Sequence, residues 1–161
     1  MRWTVFPSPV GDLFLAADGD LLCRLGFGVP RSPGGRRGGD DPVLGAAAAE
    51  LTAYFAGELT NFTVPLLLRG SDFERRVWEA LRAIPYGETR SYGAIAKSVG
   101  DPDAARAVGV ANNRNPVAVI VPCHRVIGAD GKLVGYGGGL DRKRTLLGLE
   151  ARVSIERDFA G

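Results

Sequence analysis

Histidine, methionine and cysteine are scarce in this sequence, with one His, one Met and two Cys among 161 residues. Two cysteines, Cys23 and Cys123, cannot build a disulfide framework, so reduced thiols in a reducing compartment are expected. No run approaches the roughly 20 apolar residues that a membrane-spanning helix needs. The opening MRWTVFPSPV lacks the basic start and apolar core of a secretion signal. A soluble, cytoplasmic protein without a membrane partner is expected. Internal repeats are absent. What remains is 45% hydrophobic, 24% charged and 8% aromatic, which excludes the disordered, collagen-like and coiled-coil classes. A chain of this length has room for one or two small domains and buries about 70% of its unfolded surface.

The net charge of +2 is unevenly spread: residues 1–70 sum to −1, residues 71–161 to +3, and the stretch 90–144 alone to +5. A polyanionic partner for the C-terminal half is one reading of that bias, and a solvated surface is the other. The N-terminal part reads as a small α+β unit. Residues 13–17 and 21–27 form a predicted hairpin around Asp18-Gly19-Asp20. Residues 28–42 (GVPRSPGGRRGGDDP) hold too little apolar surface to pack and read as a flexible loop. Residues 43–56 read as a helix with Leu44, Ala48, Leu51 and Phe55 on one face, and residues 62–68 as a further strand.

At Ser71 the pattern changes. Ser71 and Glu74 form a capping box, and Phe73, Val77, Trp78, Leu81 and Ile84 recur at helical spacing until Pro85 and Gly87. A second domain is expected from here to residue 150, with a tail over 151–161. Ser91 can cap a short helix over 92–99 that ends at Gly100. Asp101 and Pro102 then supply an N-cap and first-turn proline for the next helix, giving a helix, turn, helix arrangement. The apolar run 117–121 (VAVIV) suits a buried extended segment. A glycine loop over 135–139 and a basic helix over 141–150 follow.

Two features carry chemistry. The single histidine, His124, directly follows Cys123, at a point where an apolar run breaks at Pro122 and a cation, Arg125, comes next. A buried cysteine is usually a small hydrophobe, but this setting can build an electropositive pocket that favours thiolate. Neighbouring residues of an extended strand face opposite ways, so contact between the two side chains needs a turn or a bridging water. The second feature is the helix over 104–111, made of small residues and one arginine, Arg106. Reading base edges in a major groove takes several long polar side chains, which this helix lacks. Small Ala105 and Gly109 permit close approach to a groove without sequence preference, and Arg106 can enter a base stack; tight packing of a helical pair is the other reading.

Asn115-Pro116, the VAVIV run and Pro122-Cys123-His124-Arg125-Val126-Ile127 resemble the active-site signature of the O6-alkylguanine-DNA alkyltransferases. The similarity continues in register from the Phe73 helix through Ile84-Pro85-Tyr86-Gly87-Glu88 and residues 104–109 to the glycine loop and Glu150. It covers residues 71–150 closely and residues 1–70 in general layout. The resemblance implies an α+β chain: a small RNase H-like N-terminal α/β domain, then a mostly helical winged-helix or helix-turn-helix DNA-binding domain carrying the active site. It implies repair of O6-alkylguanine in duplex DNA by a monomer, independently of sequence, with O4-alkylthymine as a further substrate and cooperation along DNA both left open. Cys123 would accept the alkyl group after base flipping, in a single irreversible substitution. His124 would act as base through a water, Glu150 would orient the imidazole, Tyr92 would protonate the leaving guanine and rotate the phosphate, and Asn115 would serve as the hinge. Arg106 would fill the gap left by the extruded base. Tyr92, Ala105, Gly109, Arg114 and Arg125 would meet DNA with it, and Lys132 and Arg142 would contact phosphates. Val126, Tyr136, Gly137 and Gly138 would line the guanine pocket.

Some relatives bind zinc near the N terminus, but zinc takes about four Cys or His ligands and only Cys23 would be free here. No metal is expected, and Cys23 reads as a core thiol. The glycine loop reaches Leu140 where a GxGxxG run needs its last glycine, so no dinucleotide or methyl-donor cofactor is expected. Asn113 stands where many relatives place glycine. Two other functions remain: a non-repairing protein that binds alkylated DNA, against which Cys123 speaks, and a cysteine hydrolase, which would turn over many times and has no use for the small-residue helix.

Overall fold

A computed structural model describes residues 1–38, 40–133 and 135–160. Two compact units divide the chain, 1–69 and 70–161.

The first unit is a four-stranded sheet with one helix. Strands β1 (Arg2–Ser8), β2 (Gly11–Asp18), β3 (Leu21–Phe27) and β4 (Arg36–Arg37) stand in the order β3-β2-β1-β4. The expected hairpin is β2 with β3, antiparallel with a register shift at Ala16/Ala17. Its two-residue turn has Gly19 at φ +58, the left-handed region that glycine enters without strain. Strand β1, which pairs antiparallel with β2 from Arg2↔Ala17 to Ser8↔Gly11, was not foreseen. Its side chains are mostly half-buried and so lack the clean alternation that marks a strand.

Helix α1 (Pro42–Phe55) is capped by the Asp41 carboxylate, which accepts from the amides of Val43 and Leu44. It packs against β1, β2 and β3. Its buried residues are Leu44, Ala47, Leu51 and Tyr54, with Ala48 and Phe55 of the predicted face half-buried. Two expectations are corrected. The stretch 28–42, of which Gly39 lies outside the described residues, contains β4, parallel to β1, and supplies the cap and first residue of α1. Arg36 and Arg37 are held there through the backbone and by stacking of Arg37 on the Trp3 ring at 5.3 Å, which an apolarity count does not register. Residues 62–68 form only an isolated bridge, Leu22↔Leu66. Cys23 packs with Phe14 and Ala16, and with half-buried Trp3 and Leu67.

The second unit is mainly helical: α2 (Asp72–Arg82), β5 (Arg90–Ser91), α3 (Tyr92–Ser98), α4 (Ala105–Asn113), a single 3-10 turn (Cys123–Arg125), β6 (Val126–Ile127) and α5 (Leu140–Ala160). The Ser71/Glu74 capping box opens α2, and Ser91 caps α3 by accepting from Ala94 N. Trp78 of α2 is buried and donates its indole N–H to Ala111 O of α4 at 2.9 Å. A two-residue parallel pairing, Arg90↔Val126 and Ser91↔Ile127, joins the start of α3 to the strand that leaves Cys123.

Three further expectations change. Helix α4 begins at Ala105, not Pro102: the Asp101 carboxylate accepts from Asp103 N and closes a local turn first. The run 117–121 is not extended but folds into a buried turn, with Val121 N donating to Val117 O and Val119 at φ 70. A β-branched residue in that region stores on the order of 1–3 kcal/mol of strain. Helix α5 runs past Glu150 to Ala160, so residues 151–160 continue a helix instead of trailing; Gly161 lies outside the described residues.

Candidate active site

The turn closed by Val119 delivers Cys123 to the first position of the 3-10 turn, with Cys123 N donating to Val121 O at 2.8 Å. This is the bend that side-by-side use of Cys123 and His124 requires. Both are buried, at 5% and 0% exposure. His124 Nε2 lies 2.7 Å from Glu150 Oε2. Glu150, itself 1% exposed, also accepts from Arg125 Nε at 2.7 Å and Arg125 Nη2 at 3.0 Å, while Arg125 Nη1 donates to Ile84 O at 2.8 Å.

These contacts bear on the protonation of the group. Burial pushes the Glu150 carboxyl up, but the hydrogen bonds and charges of His124 and Arg125 outweigh it and hold the carboxyl far below the usual range. Burial lowers His124, against the pull of Glu150, so the imidazole rests neutral. An ionised carboxylate only accepts, so the imidazole proton sits on Nε2 and the lone pair on Nδ1. Nδ1 is buried and has no hydrogen-bond partner among the described residues. A neutral imidazole whose Nδ1 has no partner among the described residues thus shares the 3-10 turn with the thiol.

The thiol differs from expectation. Burial raises Cys123, and its neighbours Asn115 and Tyr136 and the charge of Lys143 oppose that only in part. The cation expected to favour thiolate, Arg125, is committed to Glu150, and the nearby charge comes instead from Lys143. At rest the group is a thiol that needs a base. Arg125 as a DNA contact is likewise corrected: it is buried, bidentate on Glu150, and stacked over the Tyr86 ring at 5.5 Å.

Other expected residues gather here. Asn115 donates to Val121 O at 2.8 Å and accepts from Val117 N at 3.0 Å, bracketing the strained turn. Tyr92 is half-buried, raised by burial and by Cys123. Its ring faces Gly109 of α4, where a Cβ would stand 3.8 Å away, and its hydroxyl lies as far from the corresponding point at Gly135. Val126 is buried, and Tyr136 is raised by burial and by Cys123. Gly137 lies against the end of α4, since a Cβ there would stand 3.7 Å from Asn113 O, which is the contact Asn113 provides. Gly138 O accepts from Arg142 Nη1 at 3.1 Å, tying Arg142 to the loop. Along α4, Arg106 is exposed and Ala105 and Gly109 half-buried; Arg114 is exposed at the end of that helix, 4.0 Å from Glu74, and Lys132 is exposed.

Two residues were missed. Asn112, buried in α4, donates to Cys123 O at 3.4 Å. Lys143 is fully buried in α5. Lys143, Leu146, Glu150 and Val153 fall three, four and three residues apart, and all are buried. That periodicity was the available signal: a lysine on the stripe of a helix that also buries a glutamate.

Among the described residues, no group of three or more His, Cys, Asp or Glu side chains is placed to hold a metal ion, and no helix is long and apolar enough to cross a membrane.

Known proteins match over most of the chain. Residues 72–152 match the family model described as 6-O-methylguanine DNA methyltransferase, DNA binding domain, and residues 1–68 match its ribonuclease-like domain. A methylated-DNA--protein-cysteine methyltransferase of Mycolicibacterium paratuberculosis is 60% identical over 96% of this chain and 94% of its own length. One of Methanosarcina acetivorans is 51% identical over 93% and 98%. The solved structure of Mycobacterium tuberculosis OGT in complex with DNA superposes with a TM-score of 0.87 at 54% identity, over 95% of this chain and 94% of that one.

Proposed function

The chain belongs to the 6-O-methylguanine DNA methyltransferase family, and on that premise we propose how its own residues carry out the transfer. The activity is that of a methylated-DNA--protein-cysteine methyltransferase, a DNA-repair reaction in which DNA is the partner. Cys123 is the acceptor. The observation that carries this reading is the geometry of His124, whose Nε2 lies 2.7 Å from Glu150 Oε2 and whose buried Nδ1 has no partner among the described residues, on the same turn as the thiol.

The proton of Cys123 passes to His124 Nδ1, through a water where the two do not touch, and Glu150 stabilises the imidazolium. The thiolate attacks the alkyl carbon: the S–C bond forms, the C–O6 bond breaks, and the electron pair leaves with guanine. Tyr92 donates a proton to the guanine and is reprotonated from His124, so the thiol proton ends on the base. The product thioether is stable to water, and each molecule reacts once. Because Cys123 is buried, the lesion must leave the duplex, at a cost of a few kcal/mol that is smallest for a poorly paired base. The exposed Arg106 of α4 takes the place of the extruded base, Ala105 and Gly109 let the backbone approach, and Arg114 and Lys132 contact phosphates without reading sequence. Val126, Tyr136, Gly137 and Gly138 hold the guanine. A reducing cytoplasm suits a chain whose working group is a free thiol.

Intact-mass measurement after incubation with an O6-methylguanine duplex, followed by peptide mapping, tests the reading. One alkyl group per molecule on Cys123, and none in Cys123→Ser, is expected. Alkylation of Cys23, or more than one turnover per molecule, refutes it.

A further inference from the structure

Asn112 of α4 is 1% exposed, and the transfer chemistry above gives it no task. Its amide Nδ2 donates to Cys123 O at 3.4 Å. That carbonyl belongs to the peptide joining Cys123 to His124, so the side chain stands against the link between the acceptor and its base. The contact also fixes which way the amide faces, because turned over it would set one oxygen against another. The side-chain oxygen, Oδ1, is thereby left for a different donor; it is buried and has no hydrogen-bond partner among the described residues.

Buried acceptors are rarely left without a donor, and two stand at this turn. His124 spends its Nε2 proton on Glu150 Oε2 at 2.7 Å and keeps a buried Nδ1 with no partner among the described residues. Neither acceptor can satisfy the other, since neither carries a proton. Asn115, three residues beyond Asn112, is occupied at both ends: it donates to Val121 O and accepts from Val117 N. A water molecule has the matching chemistry, with two hydrogens to give and a lone pair to receive.

We propose that Asn112 is a positioning residue for alkyl transfer: it holds the water that carries the Cys123 proton to His124. The proposal rests on the reading of Cys123 as the acceptor. The water gives one hydrogen to Asn112 Oδ1 and the other to His124 Nδ1, which leaves its lone pair for the thiol S–H. On transfer the S–H bond breaks and the proton joins the water oxygen, while the hydrogen donated to His124 Nδ1 crosses to the imidazole. The products are thiolate, water and imidazolium, and no proton is gained or lost. Asn112 itself exchanges nothing. Its oxygen keeps the water from turning away from the imidazole, and its amide, on Cys123 O, keeps the water in register with the turn.

A crystal structure of the unmodified full chain, at a resolution that shows ordered water, tests this directly. One water within about 3.2 Å of both Asn112 Oδ1 and His124 Nδ1 is expected, and a site in which no water touches both atoms overturns the proposal. The kinetic test uses the full chain carrying Cys23→Ser, so that a single thiol remains, and iodoacetamide as probe: the thiolate displaces iodide, the S–C bond forming as C–I breaks. Asn112→Leu keeps the branched shape and loses the acceptor, and labelling at neutral pH should slow about two- to tenfold, the worth of one hydrogen bond. In a His124→Gln background the same substitution should change nothing further, because the water then has no base to serve, whereas a merely structural asparagine costs the same in both backgrounds. An equal loss in the two backgrounds, or no loss in either, overturns the proposal. Where the leucine variant does not fold, the crystal structure decides. Peptide mapping after reaction with duplex substrate reports the acceptor separately, so failure of that assignment cannot be mistaken for failure of this one.

Discussion

Replacing Glu150 by glutamine separates what the buried carboxylate does for the fold from what it does for the chemistry. Its two oxygens face His124 Nε2 at 2.7 Å and Arg125 at 2.7 and 3.0 Å, and Gly87 N donates to Oε1 at 3.4 Å. Glutamine offers one acceptor oxygen and turns an NH2 donor toward either His124 or Arg125. Arg125 then stays buried with a full charge and no counter-ion, a change that typically costs about 3–5 kcal/mol. For a chain of this size each ~1 kcal/mol lowers the melting temperature by roughly 2–4 °C, so a circular dichroism melt at pH 7 should fall by about 6–20 °C. Thiol reactivity should drop too, because the imidazole loses the carboxylate that stabilises its protonated form; the iodoacetamide profile of Cys123 is the readout. The double variant Glu150→Gln/Arg125→Met removes both charges and should recover part of the melting temperature without recovering reactivity.

The pH dependence has a definite sign. The folded carboxyl is held below its unfolded value of 4.5, so its stabilisation is complete above that pH and is lost as pH falls toward the folded value. Below about pH 4.5 the wild-type melting curve should approach that of the variant. A melt of Glu150→Gln within about 2 °C of wild type at pH 7, or a double variant less stable than the single one, refutes the reasoning.

Arg106→Ala should slow repair of duplex DNA far more than reaction with free O6-alkylguanine base, because only the duplex requires extrusion; equal losses on both substrates would rule out the intercalating role. A Cβ at Gly70 would lie 2.5 and 2.7 Å from ring carbons of Trp78, whose indole is held by Ala111 O, so Gly70→Ala should cost about 1–3 kcal/mol of overpacking, seen as a lower melting temperature. Alkylation exchanges a hydrogen-bonded thiol for a larger thioether in a packed pocket, and the fully alkylated protein should melt below the unmodified one; an equal or higher midpoint contradicts this.

The parts of this fold that were legible in the sequence are those where local chemistry and tertiary packing agree. Ser71 and Glu74 announce α2, Ser91 announces α3, and the glycine turn announces β2 and β3, because caps and turns are satisfied by near neighbours. The readings that changed depend on distant partners. The VAVIV run has the composition of a strand, but its backbone is bracketed by Asn115, which accepts from Val117 and donates to Val121. Arg36 and Arg37 look like solvated loop until β1 pairs with them. At the site, Cys123, His124 and Glu150 were legible through the motif, but the identity of the helpful cation was not. Arg125 is nearer in sequence and Lys143 farther, yet the 3-10 turn aims Arg125 at Glu150 and leaves the thiol to Lys143.

Helix α4 and the turn that carries Cys123 share one hydrogen-bonded frame. From Arg106 to Asn112 is about 9 Å along the axis of α4. At the inner end Asn112 holds the carbonyl of Cys123, Asn115 holds both ends of the strained turn, Asn113 abuts Gly137, and Trp78 is bonded to Ala111 O. A packed interior transmits displacement because it has no slack to absorb it. An alkyl group added at Cys123 must therefore push on that frame, which includes the inner end of α4. The rigidity that holds the buried thiol, His124 and the glycine loop in register before reaction is thus the route by which strain from the product should reach α4, and a lowered melting temperature of the alkylated protein is its expected sign.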